Sequence, residues 1–221
     1  MIDGIETPGS SLDKGQLRRT LRARRAAVPE GVRKRAGRAI ERLALRQGLI
    51  RRGWRIGFYV PAKGEVDCLP LLNRALWMGA RCYLPVVPPR AGGWHGGRRL
   101  WFSRLGGSAR HWTVNRYGIP EYGHPASRLR IAWLQVVFMP MLGFDEAGYR
   151  MGMGGGYYDT SLAYLGRRRH WRKPLRVGLA FEAQRVDRLP HDPWDIPVDL
   201  VITEKRVYDC RRGRRAGPAG G

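Results

Sequence analysis

The sequence predicts an α/β fold: a three-layer α/β/α domain with a largely parallel central sheet. Three observations carry this expectation. Five short runs rich in β-branched and aromatic residues recur along the chain: WRIGFYV, RCYLPVV, WLQVVFMP, LRVGLAF and VDLVIT. Several are apolar at both odd and even positions, as in strands covered on both faces. Helical segments alternate with the strands, and sheets of that kind take their ligands outside the carboxyl ends of the strands.

Taken in order, residues 1–10 read as a loose leader and 211–221, RRGRRAGPAGG, as a disordered basic tail, leaving 11–210 as one domain. A chain of 221 residues is long enough for one core and short for two. Ser10-x-x-Asp13 resembles a capping box, and Leu17 and Leu21 follow at helical spacing, which predicts a first helix. Pro29 opens a second over roughly 30–47, with Val32, Ala36, Ile40 and Leu43 facing inward and Gly48 at the left-handed stop. The first strand ends at Val60 or Pro61, and its turn delivers Glu65, with Asp67 at the N-cap of DCLPLLNRALWMG. Farther on, Pro140 stops WLQVVFMP, and a helix begins around Gly156 to Tyr158. The tryptophans and methionines scattered through the strands read mostly as core.

Composition narrows the class. With 43% hydrophobic residues the chain is globular, and its apolar runs are too short to cross a bilayer. The first thirty residues lack the pattern of a secretory signal, so the default compartment is the cytoplasm. Cys68, Cys82 and Cys210 show no paired spacing and read as reduced structural thiols. His124 and His191 read as turn residues, since neither has a second histidine at metal spacing. Forty-one basic residues against 18 acidic give a formal net charge of +23. That field suits an anionic partner such as nucleic acid, a nucleotide or a polycarboxylate, or else it is a solvated arginine-rich surface.

The chemistry concentrates in MLGFDEAGYRMGMGGGYYD, where five glycines fall within the nine residues from Gly148 to Gly156. Glycine admits positive φ and lets backbone N–H groups approach an anion unobstructed, while the start of the next helix adds partial positive charge. The stretch is neither G-x-x-x-x-G-K-[ST] nor G-x-G-x-x-G, whose third glycine would fall on Tyr157. Arg150 within it can grip phosphate oxygens, and Asp159 just beyond suits a magnesium ion, which wants one or two carboxylates beside a polyphosphate. The alternative is a tight connector with Asp159 as a first-turn dipole partner. Lys14 and Arg18 share a helix face with Arg22 and Arg25, a repulsive arrangement in isolation that a docked triphosphate would turn to attraction. Glu65 lies where a strand-end crevice is expected. Asp192, Asp195 and Asp199, in LPHDPWDIPVDLVIT, are candidates to complete a metal shell with Asp159.

Together these stretches resemble the 5-formyltetrahydrofolate cyclo-ligase family. KGQLRRTLRARR is similar to its opening helix, FYVPAKGEVD to its Y-x-P-x-x-x-E turn, YLPVV to its central strand and RYGIPE to its G-I-x-E/Q-P element. The glycine stretch matches its long signature, and PWDIPVDLVIT its closing strand. Met153 and Gly155 stand where some relatives are basic, Trp194 where a histidine is frequent, and Tyr122 where a proline is usual.

The resemblance implies an ATP- and Mg²⁺-dependent ligase of one-carbon metabolism that closes 5-formyltetrahydrofolate, polyglutamylated or not, to 5,10-methenyltetrahydrofolate. The formyl oxygen attacks the γ-phosphate, and N10 then displaces phosphate from the activated carbon. It implies ATP contacts from Lys14, Arg18 and the loop Arg150, Met151, Gly152, Met153, Gly154, Gly155, Gly156, Tyr157 and Tyr158. By the same resemblance Asp159 and Asp195 hold Mg²⁺, Val60, Glu65 and Tyr157 meet the reduced folate, and Arg150 and Tyr157 sit at the reacting atoms. Two other readings stay open from the residues alone: a basic nucleic-acid-binding protein, and a nucleotide-dependent enzyme with a non-folate substrate.

Overall fold

The computed structural model describes residues 14–88, 98–106, 109–123, 127–166 and 173–211. The leader, the Ser10–Asp13 capping pattern, His124 and the tail from 212 onward lie outside the described residues.

All five predicted strands form, and they are the parallel centre of the sheet. These are β1 (Arg55–Gly57), β2 (Arg81–Val86), β7 (Val136–Pro140), β10 (Leu175–Leu179) and β11 (Leu200–Ile202), in the spatial order β11-β10-β7-β1-β2. Antiparallel strands extend both edges: β12 (Val207–Asp209) beside β11, and β3 (Trp101–Arg104) then β6 (Arg128–Arg130) beside β2. Two small hairpins stand apart, β4 (Trp112–Val114) with β5 (Pro120–Tyr122) and β8 (Gly143–Phe144) with β9 (Arg150–Met151). Strand β1 ends by hydrogen-bond pattern at Gly57, before the predicted Val60, although Phe58 still donates to the Tyr83 carbonyl.

The helices are α1 (Lys14–Ala26), α2 (Glu30–Arg46), α3 (Leu69–Trp77) and α4 (Tyr157–Leu162). Burial on both parities has the expected cause. Along β7, Val136 and Phe138 enter the core under α2 and α3, with Ile40, Ala44 and Leu71, while Val137 and Met139 enter the opposite core with Phe102, Leu134 and Leu162. Of the predicted α2 stripe, Ala36 and Ile40 are buried and Val32 and Leu43 pack at its margin. Gly48 takes the expected left-handed conformation, φ +65°. The cap of α3 is shifted by one residue: Cys68 is the N-cap, and Asp67 Oδ1 accepts from the Leu69 amide at 2.9 Å.

The three cysteines are free and buried, and Met139, Met141 and Met151 are core. The tryptophans depart from expectation, because Trp77, Trp133 and Trp194 are 79%, 55% and 68% exposed. Among the described residues no helix is long and apolar enough to cross a membrane.

This topology fixes where a ligand belongs. From β1 the chain moves to one side through β2, and from β7 to the other through β10 and β11, so the strand order reverses between β1 and β7. The loops leaving the carboxyl ends of those two strands border the switch-point crevice.

Candidate active site

The loop after β1 carries Val60 and Glu65; the segment after β7 carries the glycine stretch. That segment first folds back as the β8–β9 hairpin, and Gly148 belongs to its turn rather than to an anion loop. A β-carbon there would stand 2.5 Å from the Val198 carbonyl oxygen. The open part is therefore Gly152–Gly156, in which Gly154 and Gly156 hold φ of +94° and +65°. Among the described residues the N–H groups of Met153, Gly154, Gly155 and Gly156 have no hydrogen-bond acceptor. Four unpaired donors on partly to fully exposed backbone make the concavity that binds an anion.

Helix α1 closes over this loop. Its apolar face, Leu17 and the fully buried Leu21, packs on Leu142, Met151 and Leu189 beneath the hairpin. That docking leaves Arg18 Nε donating to the Gly152 carbonyl at 3.3 Å and Arg22 Nη2 3.9 Å from the Met153 sulfur. Cations of α1 thus stand beside Gly152, Met153 and Gly154. Lys14 Nζ pairs with Asp192 Oδ2 at 2.5 Å, both about a third exposed. Arg25 does not continue the exposed face: it turns inward, 7% exposed, and faces Glu65 at 3.5 Å. Glu65 Oε2 also accepts from the Ala62 amide at 3.0 Å, while Val60 packs at the edge of the core beside it.

Across the crevice, the Tyr158 phenol is pushed above the ordinary tyrosine range, first by burial and then by the Glu65 carboxylate. Arg150 acts in the opposite sense, so Tyr158 lies within electrostatic reach of both loops, although the residue as a whole is only partly buried. The Arg150 side chain is 7% exposed; it donates to the Ile196 carbonyl and, at 2.6 Å, to Asp159 Oδ1. Anchored through Nη1 on the Ile196 carbonyl, the guanidinium holds Asp159 by Nη2 alone, and the second Asp159 oxygen is left for a cation.

The three downstream aspartates separate. Asp199 is committed to Arg176, accepting from Nε at 2.8 Å and from the backbone amide at 2.9 Å, which ties β10 to β11. Asp192 pairs with Lys14, and Asp195 Oδ2 closes a turn by accepting from the Asp192 amide at 2.8 Å. His191 stacks on Tyr149 at 3.6 Å. Among the described residues no group of three or more metal-ligating side chains is assembled, so this chain offers a cation single carboxylates rather than a cage. That donor set fits magnesium arriving with a polyphosphate, which keeps its waters and phosphate oxygens and takes one or two protein carboxylates.

Several participants escaped the sequence reading. The β4–β5 turn, braced by Asn115 Oδ1 accepting from the Tyr117 and Ile119 amides, presents Arg116 and Tyr117 to Tyr157. Tyr117 and Tyr157 share a hydroxyl contact of 2.6 Å, and Arg116 donates to the same Tyr157 oxygen. Burial and the Tyr117 hydroxyl raise the Tyr157 pKa, against the opposing pull of Arg116. Arg98 lies beside the start of α4, its guanidinium 3.6 Å from where a β-carbon of Gly156 would stand. RYGIPE was legible only as a family-like element, and no spacing rule links its arginine and tyrosine to a loop forty residues away.

Known proteins share the pattern. Residues 10–204 match the 5-formyltetrahydrofolate cyclo-ligase family. The chain is 33% identical to the 5-formyltetrahydrofolate cyclo-ligase of Escherichia coli strain K12 over 160 residues, 70% of this chain and 80% of the relative. It is 30% identical to the enzyme of the same name from Haemophilus influenzae over 192 residues, 85% and 96% of the two chains. Among solved structures, the 5,10-methenyltetrahydrofolate synthetase of Aquifex aeolicus superposes with a TM-score of 0.71 at 30% identity, covering 94% of this chain and 96% of its own.

Proposed function

The chain belongs to the 5-formyltetrahydrofolate cyclo-ligase family and carries out its ATP-dependent cyclisation of 5-formyltetrahydrofolate to 5,10-methenyltetrahydrofolate, and we propose that α1 and the 152–156 loop deliver the phosphoryl group. The observation carrying this assignment is the convergence of α1, the Glu65 loop and the glycine loop on the one switch point of the sheet.

The phosphates of ATP lie against the N–H groups of residues 153–156, with Lys14, Arg18 and Arg22 neutralising their charge. Asp159 and Asp195 would hold Mg²⁺, which would supply charge neutralisation at the phosphate oxygens. Arg150 fixes the Asp159 carboxylate in place. An amide-like formyl oxygen is a weak nucleophile, so its attack on the γ-phosphorus depends on alignment and charge neutralisation more than on a basic side chain. The pterin enters between the Glu65 loop, edged by Val60, and the Tyr117–Tyr157 pair, where Glu65 accepts from its N–H groups and the phenols flank the reacting carbon. N10 then attacks that carbon and phosphate departs. The glutamate tail, single or extended, runs outward past Arg98 and Arg116, which are exposed cations at the mouth. We assign the reaction to the cytoplasm, a compartment in which thiols such as the three buried ones of this chain stay reduced.

Purified protein mixed with 5-formyltetrahydrofolate and MgATP develops the near-ultraviolet band of the methenyl product. No band from folded protein would remove the assignment.

A further inference from the structure

A second basic surface flanks α4. Between α4 and the turn at 131–133, a pocket of about 430 Å³ is lined by Arg99, Leu100, Arg130, Ile131, Trp133 and Tyr164, among others. The Arg130 guanidinium lies 3.5 Å from the centre of the Trp101 ring, and that of Arg55 lies 6.0 Å from the centre of the Trp133 ring. Among the described residues none of Arg55, Arg99 and Arg130 forms a salt bridge. Arg55 Nε is buried with no hydrogen-bond partner among them. Burial, and then the neighbouring Arg99 guanidinium, pull Arg130 below the ordinary arginine range.

The chemistry of this surface is composite. An arginine lying over an indole gains only about 0.5–1 kcal/mol at an exposed site. Arg130 Nη1 donates to the Arg99 carbonyl at 3.5 Å and Arg55 Nε is buried, so it is the other in-plane N–H groups of these arginines that remain available for phosphate oxygens. The pocket itself is mostly apolar, with an indole 55% exposed to solvent at its rim. A small inorganic anion has no use for that indole, and an apolar partner would leave three guanidinium groups uncompensated. Duplex nucleic acid keeps its bases stacked inside. An unpaired base with flanking phosphates satisfies both halves, since stacking on aromatic rings and phosphate contacts to arginine are the two components of single-strand binding.

We propose that this face binds single-stranded nucleic acid, seating one unstacked base against Trp133 and Tyr164 with adjacent phosphates on Arg55, Arg99 and Arg130. The proposal is independent of the cyclo-ligase assignment, because none of these side chains belongs to the crevice.

Fluorescence anisotropy of a labelled twelve-nucleotide oligouridine with the full-length protein tests it. Trp133→Ala weakens binding about tenfold, the size of one lost base stack. The pair Arg99→Gln and Arg130→Gln lowers the salt slope by about 1.4. Arg46→Gln, on a distant helix, changes affinity less than twofold. Cyclo-ligase turnover is unchanged in all of them, which reports that they fold. Oligouridine also quenches tryptophan fluorescence, and Trp133→Ala removes that signal. Equal loss in Arg46→Gln, undiminished binding of the pocket variants, displacement by MgATP, competition by uridine monophosphate at the same concentration, or equal affinity for a duplex of the same length would each overturn the proposal.

Discussion

Replacing Arg25 by methionine isolates the contact that couples α1 to the Glu65 loop. The guanidinium is 7% exposed, and its Nη1 lies 3.5 Å from Glu65 Oε1 without a hydrogen bond, so the attraction is purely charge against charge. At an effective dielectric of about 20, two unit charges at that distance attract by about 5 kcal/mol. Desolvation of both groups offsets much of this, and breaking a buried pair by removing one partner costs about 3–5 kcal/mol. The missing hydrogen bond puts the present pair at the lower end, about 3 kcal/mol. A chain of this size loses about 2–4 °C of melting temperature per kcal/mol, so Arg25→Met melts about 6–12 °C lower.

Glu65→Gln and the double variant complete a cycle whose coupling is about 1–3 kcal/mol. Kinetically, the KM for the folate is expected to rise while that for ATP holds, because Lys14 and Arg18, the residues proposed to meet the nucleotide, lie at the other end of the helix. A melting temperature within a degree of the parent, with zero coupling to Glu65, would refute the reasoning.

Three further outcomes are expected. Asp159→Asn, and likewise Arg150→Met, which frees that carboxylate, lowers kcat about 10²–10³-fold with the fold intact by circular dichroism. Lys14→Ala raises the KM for ATP about tenfold, the loss of one phosphate contact, and barely moves the melting temperature, because its pair with Asp192 is about a third exposed. Burial pushes the Cys68 and Cys82 thiols up to about 12, so the native protein keeps two protons that the unfolded chain releases near pH 9. That stability is fully present below pH 9 and falls by about 1.4 kcal/mol per pH unit for each thiol as pH rises toward 12. Urea midpoints measured from pH 8 to 10.5 show this decline, and Cys82→Ala halves its slope.

Local rules were enough for the central layers. Runs such as WLQVVFMP are apolar at every position because Val136 and Val137 enter opposite cores, so their composition announces a parallel strand. The edge strands were harder to read: WFSR and RLR carry arginine and serine on three- and four-residue segments, too short and polar for a periodicity. The same limit explains Gly148. A glycine in a hairpin turn and one in an anion loop read alike until pairing of Gly143–Phe144 with Arg150–Met151 separates them. The predicted tail is also ordered at its first residue, where Arg211 pairs with Asp209 at 2.8 Å. The candidate site followed the same division. Residues on contiguous motifs, from Arg150 to Asp159, were visible, whereas Arg116, Tyr117 and Arg98 reach α4 only through tertiary packing.

Net charge shows most clearly what composition withholds. A total of +23 is one number, yet the fold divides the arginines into groups with different chemistry. Arg25, Arg150 and Arg176 are buried or nearly so and spent on carboxylates, where they fix Glu65, Asp159 and Asp199. Arg18 and Arg22 hang over a loop whose amides lack acceptors among the described residues, and like charges so placed repel in the absence of an anion. Arg55 and Arg130 rest on tryptophan rings beside a pocket with no carboxylate among its described lining residues. The first group fixes carboxylates within the fold and the second stands over the glycine loop, but neither accounts for the third. Arginines held over indoles contribute little to stability there, so an external anion is the most economical physical account of their placement.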